Sequence, residues 1–144
     1  MIPETLDNAL GFNLYRVNLL MRRELMQALS DYEITPEQWQ IMSILRESKA
    51  PLNQREIVQD TLKDKYTVSR IINRLERDGW VTKKVSPNDK RSTLIGLTEK
   101  SNTLQKNIQK LLSDHFNKIF KAFGKDDHDH LLELLKKLRK ILKD

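Results

Sequence analysis

Apolar residues recur at three- and four-residue steps along most of this chain. Leu10, Leu14, Val17, Met21, Leu25 and Ala28 form the first such stripe, which predicts one long amphipathic helix from Leu6 to Leu29. Asp31-Tyr32-Glu33 interrupts it. Ile34-Thr35-Pro36-Glu37-Gln38-Trp39 then reads as a helix start. Thr35 can cap, Pro36 suits the first helical position, Gln38 can complete a capping box, and Ile34 and Trp39 have staple spacing. That helix should reach about Glu47, before Ser48-Lys49-Ala50-Pro51 ends it. Leu52-Asn53-Gln54-Arg55-Glu56-Ile57 repeats the start signal, with Asn53 as cap and Glu56 closing the box; this short helix ends near Leu62. Asp64 can cap the next helix, Lys65 to Asp78, whose apolar positions are Val68, Ile71, Ile72 and Leu75. Gly79 stands where a left-handed residue would close it.

The period then changes. Trp80 to Val85 reads as a strand, with Val81 and Val85 on one face and Lys83 between them. Pro87-Asn88-Asp89-Lys90 has turn chemistry, and Thr93 to Leu97 is the return strand. Thr98 caps a helix to roughly Phe123, striped by Leu104, Ile108, Leu111, Leu112, Ile119 and Phe123. Gly124 breaks it, and Asp126 caps the last helix, striped by Leu131, Leu134, Leu135, Leu138, Ile141 and Leu142. Three helices followed directly by a hairpin make a winged helix-turn-helix. The predicted fold is therefore mainly α with a small β-hairpin wing, flanked by N- and C-terminal helices.

Composition narrows the possible functions. A chain of 144 residues suits one domain, and 32% charged with 38% hydrophobic residues is a soluble, globular balance. No apolar run approaches the ~18 residues of a membrane span, so no membrane partner is expected. The start MIPETLDNAL lacks the basic-then-apolar order of a signal peptide. There is no cysteine, which excludes disulfides, thiolate metal sites and thiol redox sensing and fits a reducing cytoplasm. No glycine-rich phosphate loop, metal motif or histidine–nucleophile pair is present, so the chain reads as a non-enzyme without a cofactor. His115 falls on an apolar stripe, and His128 and His130 stand two apart, a poor spacing for one zinc, so no metal site is expected.

Charge is distributed unevenly. Of a net charge of +6, residues 65–91 carry +5, from eight cations and three acids. A stripe of this kind on a helix-turn-helix and its wing is the footprint expected for a polyanion.

The runs TPEQWQIMSIL, LNQREIVQDTLKDKYTVSRIINRLERDGWVTKKVSPNDKRSTLIGLT and TEKS resemble the MarR family of bacterial transcriptional regulators over essentially the whole chain. RLERDGWV and DKRSTLIGLTEKS carry most of the specificity. Many members have a glycine in the turn before the recognition helix; Thr61-Leu62-Lys63-Asp64 stands there in this chain, which predicts a more helical turn.

The resemblance implies a cytoplasmic bacterial homodimer, nucleoid-associated when bound to DNA. Residues 1–32 and 99–144 would be dimerisation helices, and 34–98 the DNA-binding lobe. The recognition helix would present Lys65, Tyr66, Thr67, Ser69, Arg70 and Arg74 to double-stranded DNA. The wing would place Arg91 in the minor groove, with Asp89 holding Arg91 or a recognition-helix arginine by a charge-assisted hydrogen bond. Lys83, Lys84 and Lys90 would neutralise phosphates, and Arg77 would stay solvated. Two such lobes would read a pseudo-palindrome with half-sites roughly 10 base pairs apart. The resemblance further implies a repressor released by a small anionic or aromatic effector near Phe12, Tyr15, Arg16, Trp39 and Met42. The alternative is a winged-helix protein-interaction module without a specific operator.

Overall fold

In the computed structural model, which describes Ile2 and residues 4–144, the elements run α1 (Leu10–Leu29), α2 (Pro36–Ser48), β1 (Leu52–Asn53), α3 (Gln54–Thr61), α4 (Lys65–Arg77), β2 (Val81–Val85), β3 (Thr93–Leu97), α5 (Glu99–Phe123) and α6 (Lys125–Ile141). They fall into two compact units, Met1–Ile108 and Gln109–Asp144.

In the first unit the helix starts follow the side chains that cap them. Thr35 accepts from the Gln38 N–H at 3.2 Å while Gln38 accepts from the Thr35 N–H at 2.8 Å, a complete capping box. Asn53 accepts from the Glu56 N–H at 2.9 Å and opens α3. Thr98 accepts from the Ser101 N–H at 3.2 Å and opens α5. At the end of α4, Gly79 has φ +80, its N–H bonds to the Glu76 carbonyl, and the Trp80 N–H bonds to the Leu75 carbonyl at 2.8 Å. This is a Schellman closure, and it aims the chain into β2.

The strands form one antiparallel sheet in the order β1-β3-β2. Lys83 pairs with Ile95 and Val85 with Thr93, while β1 pairs Leu52 with Ile95. The core joins Leu29 of α1, Ile41, Met42 and Leu45 of α2, Ile57 of α3, Val68, Ile72 and Leu75 of α4, and Trp80, Val81 and Ile95 of the sheet region.

Four expectations change here. The stripe from Leu6 does not give one helix: a 3-10 turn (Leu6–Asn8) and an extended Ala9 precede α1, where the Asn13 amide donates to the Asp7 and Ala9 carbonyls at 2.8 and 2.9 Å. The turn before α4 is not more helical. Leu62 adopts the left-handed conformation, φ 56 and ψ 20, that a glycine would take there. Val85 does not share the buried environment of Val81, because the hairpin runs past the edge of the core. Leu52 and Asn53 also form an edge strand, too short to leave a periodicity.

The second unit holds the rest of α5 and α6. No residue of α6 is buried, so the stripe of Leu131, Leu134, Ile141 and Leu142 is open on this chain. Asp126 is not the cap: Gly124, at φ 98, occupies that position without a side-chain bond, and Asp126 and Asp127 lie in the first turn, where acids suit the helix dipole. The rings of His115, Phe116, Phe120 and His128 follow one another at centroid distances of 5.4, 6.0 and 4.7 Å. Asp129 takes Lys125 and His128 together, and these bonds, Lys125 first, hold its carboxyl below the usual range. Among the described residues no helix is long and apolar enough to cross a membrane.

Candidate nucleic-acid interface

Helix α4 is strongly two-sided. Val68, Ile72 and Leu75 face the core, at the four- and three-residue steps of one helical face. Lys65, Tyr66, Arg70, Asn73, Arg74 and Arg77 are exposed on the other side, and Thr67 and Ser69 are half-buried at its margin. The start of α4 is built by Asp64, which accepts from the Thr67 N–H at 2.9 Å and from the Thr67 hydroxyl at 2.7 Å. These two bonds hold the Asp64 carboxyl below its ordinary value. The Thr67 hydroxyl is thus already engaged in the cap. Lys65 lies over the Tyr66 ring, 5.1 Å from its centroid, and Tyr66 is 72% exposed. Gln54, at the start of α3, donates to the Lys65 carbonyl at 3.0 Å and ties the two helix starts together.

The wing is shaped by its own polar groups. Asp89 accepts the backbone N–H of Arg91 at 2.9 Å, and Ser86 and Ser92 pair through their backbones at 2.9 Å. Among the described residues, the Asp89 carboxylate bonds to neither the Arg91 guanidinium nor a recognition-helix arginine. Lys84, Lys90 and Arg91 are exposed. Lys83 differs from them: its ammonium bonds to Asn73 Oδ1 and lies 3.7 Å from Glu76, both on α4.

Arg91 and Lys83 line a cleft together with Asn53, Gln54 and Arg55 at the start of α3. Arg55 was not singled out by the sequence; only the folding of β3 against β1 brings the wing beside it. No acidic side chain among the described residues lines this cleft. Arg77 pairs with its neighbour Asp78 at 3.1 Å.

The five residues expected near an effector lie on two helices. Phe12, Tyr15 and Arg16 belong to α1, with the Arg16 guanidinium 5.6 Å from the Phe12 ring centroid. Trp39 and Met42 belong to α2; Arg46 lies 5.8 Å over Trp39, and Met42 is fully buried while Tyr15 is exposed.

A sequence profile of the MarR family matches residues 32–92, from the end of the 3-10 turn Ser30–Tyr32 that follows α1 to the wing. The transcriptional regulator PecS of Dickeya dadantii (strain 3937) is 29% identical over 134 residues, covering 90% of this chain and 79% of that protein. A cysteine-to-serine mutant of MarR from E. coli, solved in complex with operator DNA, shares 29% identity, with a TM-score of 0.82 over 90% of this chain and 92% of that one. The reduced form of MarR from E. coli is 30% identical, with a TM-score of 0.78 over 96% of this chain and 97% of that one. Capped α3 and α4, the Schellman exit, β2 and the wing tip lie within the profile match, and the likeness to solved structures extends across both units. The chain belongs to the MarR family of winged helix-turn-helix transcriptional regulators.

Proposed function

We propose that this protein is a homodimeric, sequence-specific DNA-binding repressor. In this reading α4 enters the major groove with Lys65, Tyr66, Ser69 and Arg70 foremost, and Arg91 reaches the adjacent minor groove. Arg74, Lys84, Lys90 and Arg55 supply phosphate contacts. The observation that carries it is that Arg55 of α3 lines one cleft with Lys83 and Arg91 of the hairpin, while α4 presents exposed Lys65, Arg70 and Arg74, with no ion pair to Arg70, Arg74, Lys84, Lys90 or Arg91 among the described residues. The likeness to a relative solved on operator DNA supports the same reading. Residues 34–98 serve as the DNA-binding lobe.

The open apolar stripe of α6, with exposed Leu10, Val17 and Leu20 on α1, supports dimerisation through the flanking helices. A dimer carries two lobes and therefore favours a pseudo-palindromic site. An anionic aromatic effector would release DNA by favouring a dimer whose lobes are wrongly spaced. To touch all five candidate residues it must reach Met42, which is fully buried, as well as Tyr15, which is exposed.

Selection of duplexes from a random pool tests the proposal. An enriched two-fold-symmetric motif is expected, with half-site centres roughly 10 base pairs apart. A pool that stays random through repeated rounds, with only weak salt-sensitive binding, would instead favour a protein-interaction role.

A further inference from the structure

The two neighbouring lysines of β2 do different things. Alternation puts Lys83 on the strand face of buried Val81, and Lys84 on the opposite face. The Lys83 side chain crosses to α4 and meets Asn73 and Glu76. Ser69, Asn73 and Glu76 stand four and three residues apart, so they form one ridge of that helix. Lys83 therefore grips the ridge that carries Ser69, one turn from it.

We infer that Lys83 is a positioning residue, a strut that fixes the wing against the recognition helix, and not a phosphate contact. Its charge is already offset by Glu76, whose side chain is 45% exposed beside a Lys83 side chain that is 31% exposed. A cation so offset adds little net attraction for a polyanion. It does set where the hairpin leaves the body of the lobe, and thereby the distance between the first turns of α4 and Arg91. Both must reach adjacent grooves of one duplex, so the strut governs whether they engage together. This rests on the DNA-binding reading above for its consequence, but not for its structural part.

The test uses the full chain with Lys83→Met, Glu76→Ala and the double variant. In the free protein, amide exchange at Ser86 and Ser92 should speed up in Lys83→Met, since the wing loses its tie. On the duplex enriched by wild type, each single variant should bind roughly two- to fivefold more weakly, the scale of an exposed ion pair. The double variant should be no weaker than the worse single one, and Lys83→Arg should recover most of the loss. The slope of log affinity against log salt should stay at the wild-type value in Lys83→Met. A slope reduced by about 0.9 in that variant, with Glu76→Ala binding as tightly as wild type or tighter, is the mark of a phosphate contact and would overturn the inference. Unchanged amide exchange would overturn it too. Should wild type enrich no duplex at all, the regulator reading fails, and the exchange measurement still decides the strut.

Discussion

Asp89 accepts the backbone N–H of Arg91, 2.9 Å away, and leaves the Arg91 guanidinium free of it. The carboxylate at the wing tip therefore shapes a turn, with the Asp89 carbonyl also taking the Ser92 N–H at 3.0 Å. An asparagine oxygen can accept the same bond. Asp89→Asn should accordingly keep affinity for the selected duplex within about twofold, and Asp89→Ala should lose more. Arg91→Ala should lose roughly tenfold or more, the scale of a hydrogen bond to a charged group, with little change in melting temperature. Fluorescence anisotropy on the three variants checks this. Equal losses for Asn and Ala at position 89 would show that the charge matters and the turn does not.

The hydroxyl of Thr67 is committed to Asp64, so in the proposed complex Ser69 and Arg70 would do more of the base reading. Ser69→Ala should therefore relax sequence preference more than Thr67→Ala does, while Thr67→Ala should lower the melting temperature. Asp64 titrates below its ordinary value of 3.8 because Thr67 donates to it twice. A lowered carboxylate adds stability that is present above the unfolded value and is lost as pH falls through the folded one. The melting-temperature gap between wild type and Asp64→Asn should thus be full at neutral pH and close below about pH 3.8, the ordinary value. Thermal melts across that range decide it.

Arg22 of α1 donates twice to Glu37 of α2, at 2.8 and 3.1 Å. The pairing, led by the Arg22 hydrogen bond, lowers the Glu37 pKa below its ordinary 4.5 and raises that of Arg22. By the same linkage its contribution holds above that value and disappears as pH falls through the lowered one. Both side chains are partly exposed, so Arg22→Ala should cost only about 0.5–1 kcal/mol at neutral pH. The cost should shrink in acid, as read by urea unfolding at pH 7 and pH 3.

Two left-handed corners flank α4, one filled well and one badly. Gly79→Ala places a Cβ at φ +80 and should destabilise by about 1–2 kcal/mol. Leu62 already bears that strain at φ 56 and is 82% exposed, so its side chain contributes little burial. Leu62→Gly should be neutral to stabilising by up to about 1 kcal/mol once the greater freedom of unfolded glycine is counted. A large loss on Leu62→Gly in chemical denaturation would mean that its side chain is packed.

The features that sequence reveals here are local ones. Thr35, Asn53, Asp64 and Thr98 each bond an N–H three residues on, so their roles depend on short stretches alone. Val68, Ile72 and Leu75 announce the buried face of α4 by their spacing. What the sequence hides depends on distant pairing. Lys83 reads like any wing cation until the sheet twist carries it to Asn73 and Glu76. Arg55 looks like part of a helix start until β1 pairs with β3 and draws the wing to it. Val85 alternates correctly with Val81, yet nothing local says that the core ends before it.

Reading of DNA sequence by α4 and the wing together is tested most directly by equilibrium binding over a salt series. The wild-type protein is titrated against the selected duplex and against a scrambled one. A preference of ~10³-fold or more at moderate salt is expected, with a steep decline of both affinities as salt rises. Equal affinity for the two duplexes at every salt concentration would contradict it.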